Sequence, residues 1–193
     1  RLIEGSKKAI AYIAFGASPA EFDRFVDRLG SKGVATVPPP RIEGVEGVWF
    51  RDIEGDLINV RATLPAPQTR PPVAINNAGD FRRLGRRGAP DRMVEATPRR
   101  LGHLLKFTPN VQRTIDFYTD TLGMKLSDRI GGLAAFLRFA GDSDHHTLAI
   151  AASAGTGLHH MSFEMGNLDQ IQLLAARMVE SGYRDCWGVG RHI

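Results

Sequence analysis

The stretch LGHLLKFTPNVQRTIDFYTDTLGM, Leu101 to Met124, decides the fold. Its apolar start reads as a short strand. A Thr-Pro-Asn turn follows, and then Val111, Ile115, Tyr118 and Leu122 recur at helical spacing until Gly123 supplies a stop. The same order of strand, cap and amphipathic helix is written twice more, in AIAYIAFGASPAEFDRFVDRLGSKGV from Ala9 and in LHHMSFEMGNLDQIQLLAARMVESGY from Leu158. In the first copy Phe22, Val26 and Leu29 form the stripe, with Pro19 in the first turn and Gly30 or Gly33 at the end. In the third, Leu168, Ile171, Leu174 and Met178 do so, and Gly182 ends it. These are copies of one supersecondary unit.

Working outward, MKLSDRI, GLAAFLRFA and HHTLAIAA follow the second helix as three strand-like segments broken by Gly and Asp, which completes a βαβββ module. After the first helix, GVWFRDIEGDLINV reads as a hairpin across the Asp52 to Asp56 turn, the tail of an equivalent module. The third module reaches Ile193 before its final strands. The first module would need a partner before Arg1 to close its sheet, so the expectation is a piece of a longer protein. Residues 1–63 are therefore read as the second module of an N-terminal domain without a metal, and 101–193 as a metal-binding C-terminal domain. Between them, 64–100 holds six of the eleven prolines, eight arginines and only Asp80, Asp91 and Glu95 against them. It reads as a linker, with a short ordered piece around Phe81.

That linker accounts for the net charge of +4. Clustered arginine is a footprint of nucleic-acid binding, but no stacking platform or zinc finger accompanies it, so a solvated connector is expected. No apolar run spans a bilayer, and the apolar stretch after Lys7 and Lys8 belongs to a repeat rather than a secretory signal. One cysteine, Cys186, cannot make an intrachain disulfide. A cytoplasmic protein is expected.

Aligning the second and third copies places His103 and His160 at the same position, each seven residues before the Asn that opens the helix, Asn110 and Asn167. Two imidazoles from matched positions of paired modules can converge on one ion. The first copy has Tyr12 there and Asn59 where a ligating carboxylate could sit, so it reads as scaffold. Strand parity separates the histidine pair of GLHHMSFE: His160 travels with Ser162 and Glu164, and His159 with Met161 and Phe163. His160 is expected as the ligand, and His159 as a core histidine facing packed apolar side chains. Glu164 shares the face of His160 but lies about 13 Å further along the strand, too far to join the same ion.

The segments LGHLLKFTPNVQRTIDFYTDTLGM, DHHTLAI, GLHHMSFE and WGVGRH together resemble the type I extradiol ring-cleavage dioxygenases of the vicinal oxygen chelate superfamily, which includes glyoxalases and bleomycin resistance proteins. The resemblance implies an α+β fold of paired βαβββ modules forming two domains, each a curved open barrel of mixed strands, incomplete in this chain. It implies Fe(II), or alternatively Mn(II), held by His103, His160 and a glutamate from a strand beyond Ile193. It implies that His192 of the GRH motif hydrogen-bonds a bound catecholate, and that His146 of the HxxA strand shuttles protons beside dioxygen. His145 is the competitor for that role, and parity does not decide between them. Phe136, Phe139 and Leu105 read first as plain core, and are otherwise candidate walls for an aryl ring.

The implied activity is extradiol cleavage of a catechol-type or dihydroxybiphenyl-like diol with dioxygen, in aromatic hydrocarbon catabolism, by a homo-oligomer. Two other readings keep the fold: a glyoxalase-type lyase or transferase, and a binding protein that sequesters a small molecule without turnover.

Overall fold

The structure, a computed structural model, describes residues 9–40, 44–64, 66–67, 85, 96–139, 143–185 and 188. Cys186, His192 and the piece around Phe81 lie outside them. The chain forms two compact units, Arg1–Ala66 with Gly102–Ser162, and Pro67–Leu101 with Phe163–Ile193.

The first unit carries the repeat as topology. Its first module is β1 (Ile13–Ala17), α1 (Pro19–Ser31), β2 (Val48–Arg51) and β3 (Leu57–Ala62), and the sheet order is β1-β3-β2. β1 runs parallel to β3, with Ile13 opposite Ile58, and β2 runs antiparallel to β3. The second module is β4 (Arg100–Thr108), α2 (Val111–Leu122), β5 (Lys125–Ile130), β6 (Ala134–Arg138) and β7 (Leu148–Ala152). β4 runs parallel to β7, and β7, β6 and β5 follow one another antiparallel. β1, β3 and β2 thus correspond to β4, β7 and β6. Where the first module would place the counterpart of β5 there is a single bridge, Thr36 to Phe50. The third module's first strand, β8 (Gly157–Glu164), joins the free edge of β4, giving the mixed order β5-β6-β7-β4-β8.

Helix stripes and caps explain the packing. In α2 all four stripe residues, Val111, Ile115, Tyr118 and Leu122, are buried. Asn110 accepts from the Arg113 N–H at 3.0 Å, and Gly123, at φ 71°, adopts the left-handed cap that a Cβ would disfavour. In α1 the buried pair is Phe25 and Leu29, while Val26 is exposed. The expected stripe was therefore rotated by one position, because Phe22, Phe25, Val26 and Leu29 offer two overlapping apolar faces. One core takes Ile13, Phe50, Ile58 and Val60 from the first module and Ala135, Leu137, Leu148 and Ile150 from the second, with α1 and α2 in contact. Each such Val, Leu, Ile or Phe side chain contributes about 1.5–3 kcal/mol when fully buried.

A charged cluster crosses that core. Lys106 of β4 is wholly buried and ion-paired to Asp52 and Asp56 of the β2–β3 turn. Tyr118 donates to Asp52 at 2.7 Å, and the N–H groups of Glu54 and Asp56 donate to the other Asp52 oxygen at 3.0 and 2.9 Å. Thr108 donates to Glu54 at 3.0 Å. The Asp-Ile-Glu-Gly-Asp segment is a hairpin turn, as expected, and also the plug that fixes the first module to the second.

In the second unit, α3 (Leu168–Glu180) opens on Asn167, which accepts from the Gln170 N–H at 3.0 Å. Its expected stripe is not buried: none of its residues is buried among those described, and Leu168, Ile171, Leu174 and Met178 are exposed. Helical spacing specifies an apolar face without specifying what covers it.

Candidate metal centre

Three histidines converge on neighbouring strands of the five-stranded sheet. β4 lies between β7 and β8. His103 projects from β4, His160 from β8, and His146 from the segment just before β7, where the Leu104 N–H donates to the Thr147 carbonyl at 3.2 Å. The Nε2 atoms of His103 and His160 are 3.1 Å apart. The His103 and His146 ring centroids are 4.4 Å apart, and the buried His146 ring also meets Phe136 at 5.0 Å.

The spacing of the Nε2 atoms tests whether an ion fits. Two imidazole nitrogens bound to one metal at about 2.1 Å each, roughly 90–100° apart, sit about 3.0–3.2 Å from each other. The pair has that separation. Among the described residues no set of three or more His, Cys, Asp or Glu side chains has metal-holding geometry. Glu164 is engaged elsewhere, as the partner of Arg100.

Two of these histidines, His146 and His160, have a histidine beside them in sequence and in contact. His145 is exposed, and its Nδ1 lies 3.0 Å from the Nδ1 of His146. The Nδ1 atoms of His159 and His160 are 2.8 Å apart in the same manner. His159 is not the core histidine that parity suggested. It is exposed, as are Met161 at 47% and Phe163 at 48%, while His160 and Ser162 are half-buried. Alternation separated the two faces, but the apolar one is left uncovered among the described residues.

The candidate aryl walls also divide. Phe136 is buried against the His146 ring, whereas Phe139 meets Phe15 at 5.3 Å and packs against the core, in line with the plain core reading. Leu105 is half-buried on β4. In the first module, Tyr12 packs edge-on against Trp49 at 5.2 Å. Asn59, opposite Trp49, is fully buried and donates its amide to the Glu46 and Val48 carbonyls at 3.2 and 3.4 Å.

Sequence reading missed the contact of His159 with His160 and the buried ion pairs of Lys106. The adjacent His-His doublets were the available signal for the first. For the second, a lysine in an apolar strand facing a turn with three carboxylates was the signal, but only the fold brings them together.

Comparison with known proteins places this site in context. Residues 100–193 match the family model described as Glyoxalase/Bleomycin resistance protein/Dioxygenase superfamily. Metapyrocatechase 2 of Cupriavidus necator is 37% identical across 100% of this chain and 60% of its own length. An iron-dependent extradiol dioxygenase of Rhodococcus jostii strain RHA1 is 29% identical over 48% of this chain and 35% of its own. The crystal structure of a Mn(II)-bound glyoxalase from Novosphingobium aromaticivorans superposes with a TM-score of 0.66 at 25% identity, over 97% of this chain and 56% of that one. The chain thus spans about 60% or less of the length of these relatives. The repeated module topology, the family model matched over residues 100–193 and a relative similar across the full chain point the same way: the chain is similar to members of the glyoxalase/bleomycin resistance protein/dioxygenase superfamily.

Proposed function

We propose that the protein containing this chain is an extradiol dioxygenase that opens a catechol-type ring beside the diol and incorporates both atoms of dioxygen. The observation that carries the reading is the His103 and His160 Nε2 pair at 3.1 Å, beside a buried His146, in a chain similar over its full length to a metapyrocatechase. Divisions at 1–63, 64–100 and 101–193 go with this reading, as do a cytoplasmic location, a homo-oligomer and no nucleic-acid partner. Among the described residues no helix is long and apolar enough to cross a membrane.

In this reading His103 and His160 hold the metal through Nε2, with a glutamate beyond Ile193 as third ligand. Fe(II), or Mn(II) in its place, supplies a centre with open positions where the diol and dioxygen can meet. The remaining work belongs to side chains. His146, buried with its ring 4.4 Å from that of His103 and 5.0 Å from that of Phe136, stands beside the pair and takes up and returns the proton of the reacting diol. Phe136 narrows the space beside it and excludes water from that side. His192 donates to a diol oxygen.

Oxygen uptake and the absorbance of a ring-opened semialdehyde, measured with catechol and 2,3-dihydroxybiphenyl on the intact, iron-loaded protein, test the proposal. Uptake with neither diol would overturn it. The similarity to a Mn(II)-bound glyoxalase gives a second reading, a lyase built on the same histidine pair. Turnover of a thiol adduct of a ketoaldehyde without oxygen uptake would favour it.

A further inference from the structure

A histidine binds a metal through Nε2 only in the tautomer that carries its proton on Nδ1, and the group that meets Nδ1 selects that tautomer. For His160 the group is His159. Their Nδ1 atoms are 2.8 Å apart, and the His160 Nε2 is directed to the His103 Nε2 at 3.1 Å. The His159 ring is itself held, lying 4.9 Å from the Phe107 ring of β4 at an interplanar angle of 50°. The doublet His145–His146 repeats the device, an exposed histidine setting its Nδ1 against that of its inward neighbour.

We propose that His159 is a positioning residue for the metal centre: its Nδ1 accepts the Nδ1–H of His160 and so keeps the His160 Nε2 lone pair pointed at the ion. The opposite arrangement, with His159 donating, would put a proton on the His160 Nε2 and block ligation. The exposed His159 contributes its acceptor rather than packing. This rests on His160 being a ligand.

The test uses the intact protein with Fe(II), measured anaerobically by competition with a chelator. His159→Leu, which keeps bulk and removes the acceptor, should weaken Fe(II) binding about 10- to 100-fold, the usual effect of losing an outer partner of a metal histidine. His159→Asn, whose Oδ1 stands near the position of Nδ1, should recover most of it. The melting temperature of the metal-free variants should stay close to wild type. Long-range proton–nitrogen correlation spectra of the metal-free protein should show His160 in the Nδ1–H tautomer in wild type and His159→Asn. His160→Ala is the control. If it retains Fe(II), His160 is not a ligand and the proposal falls with that reading. If it loses Fe(II) while His159→Leu binds as wild type does, or if Leu and Asn weaken binding equally, the proposal alone is overturned. An Nε2–H tautomer for wild-type His160 would also overturn it.

Discussion

Two imidazole nitrogens 3.1 Å apart in His103 and His160 must either share one proton between them or face a third body. An ion lets both rings carry their protons on Nδ1. We therefore predict that His103→Ala and His160→Ala each remove stoichiometric metal from the intact protein, measured by elemental analysis, while the metal-free fold melts near the wild-type temperature. Both side chains are only half-buried, so truncation leaves no large cavity. His146 and His145 should separate just as clearly. His146 is buried between His103 and Phe136, and His145 is exposed. His146→Ala should keep its metal and lower turnover by about 10² to 10⁴, the range for a positioned acid or base. His145→Ala should cost far less. A larger loss at His145, read from steady-state oxygen uptake, would exchange their roles.

At the scale of elements, legibility depended on whether one local rule was enough. The α2 face, its Asn110 cap and its Gly123 stop were all readable, because spacing, cap chemistry and a left-handed glycine speak for the same helix. We predict that Asn110→Ala costs about 1 kcal/mol in urea denaturation, since the Arg113 N–H loses its acceptor. The α1 face was misjudged because four apolar residues fit two faces, and sheet contacts choose Phe25 over Val26. On β8 the alternation correctly divided His159 from His160, but it carries no information about cover, so Met161 and Phe163 were assigned to a core that the described residues do not form around them. The His103–His160 pairing was legible from symmetry between repeats, because β4 and β8 are adjacent strands that open successive modules. The His159 contact was not, since it runs between neighbours that parity places on opposite faces.

At the scale of the whole molecule, the first compact unit joins two modules through a buried charge as well as through apolar side chains. Lys106 neutralises Asp52 and Asp56, so Lys106→Met should be disproportionately damaging: a well-sized apolar stem replaces the lysine, but two carboxylates remain without their cation. A loss of about 3–5 kcal/mol is expected on breaking such a pair, measured by urea unfolding. Tyr118 adds a pH dependence. Burial, and then the charge of Asp52 beside it, push its hydroxyl well above the ordinary value of 10.0. Below pH 10 the tyrosine is neutral in folded and unfolded chains alike, and its bond to Asp52 stabilises fully. Above pH 10 the unfolded chain releases this proton and the folded chain keeps it, so stability falls with rising pH by about 1.4 kcal/mol per unit until the folded hydroxyl also titrates. Tyr118→Phe should therefore cost about 1.5–3 kcal/mol at pH 7, where a bond to a charged group is lost. The same variant should show a shallower decline than wild type between about pH 10 and 11, because its side chain has no proton to release. Other lysines and tyrosines titrate in both proteins, so the difference between the two urea-unfolding curves isolates Tyr118. Parallel alkaline declines would mean that its hydroxyl ionises in the folded protein as readily as in the unfolded one, and the buried Asp52 contact would then not be what holds the turn against α2.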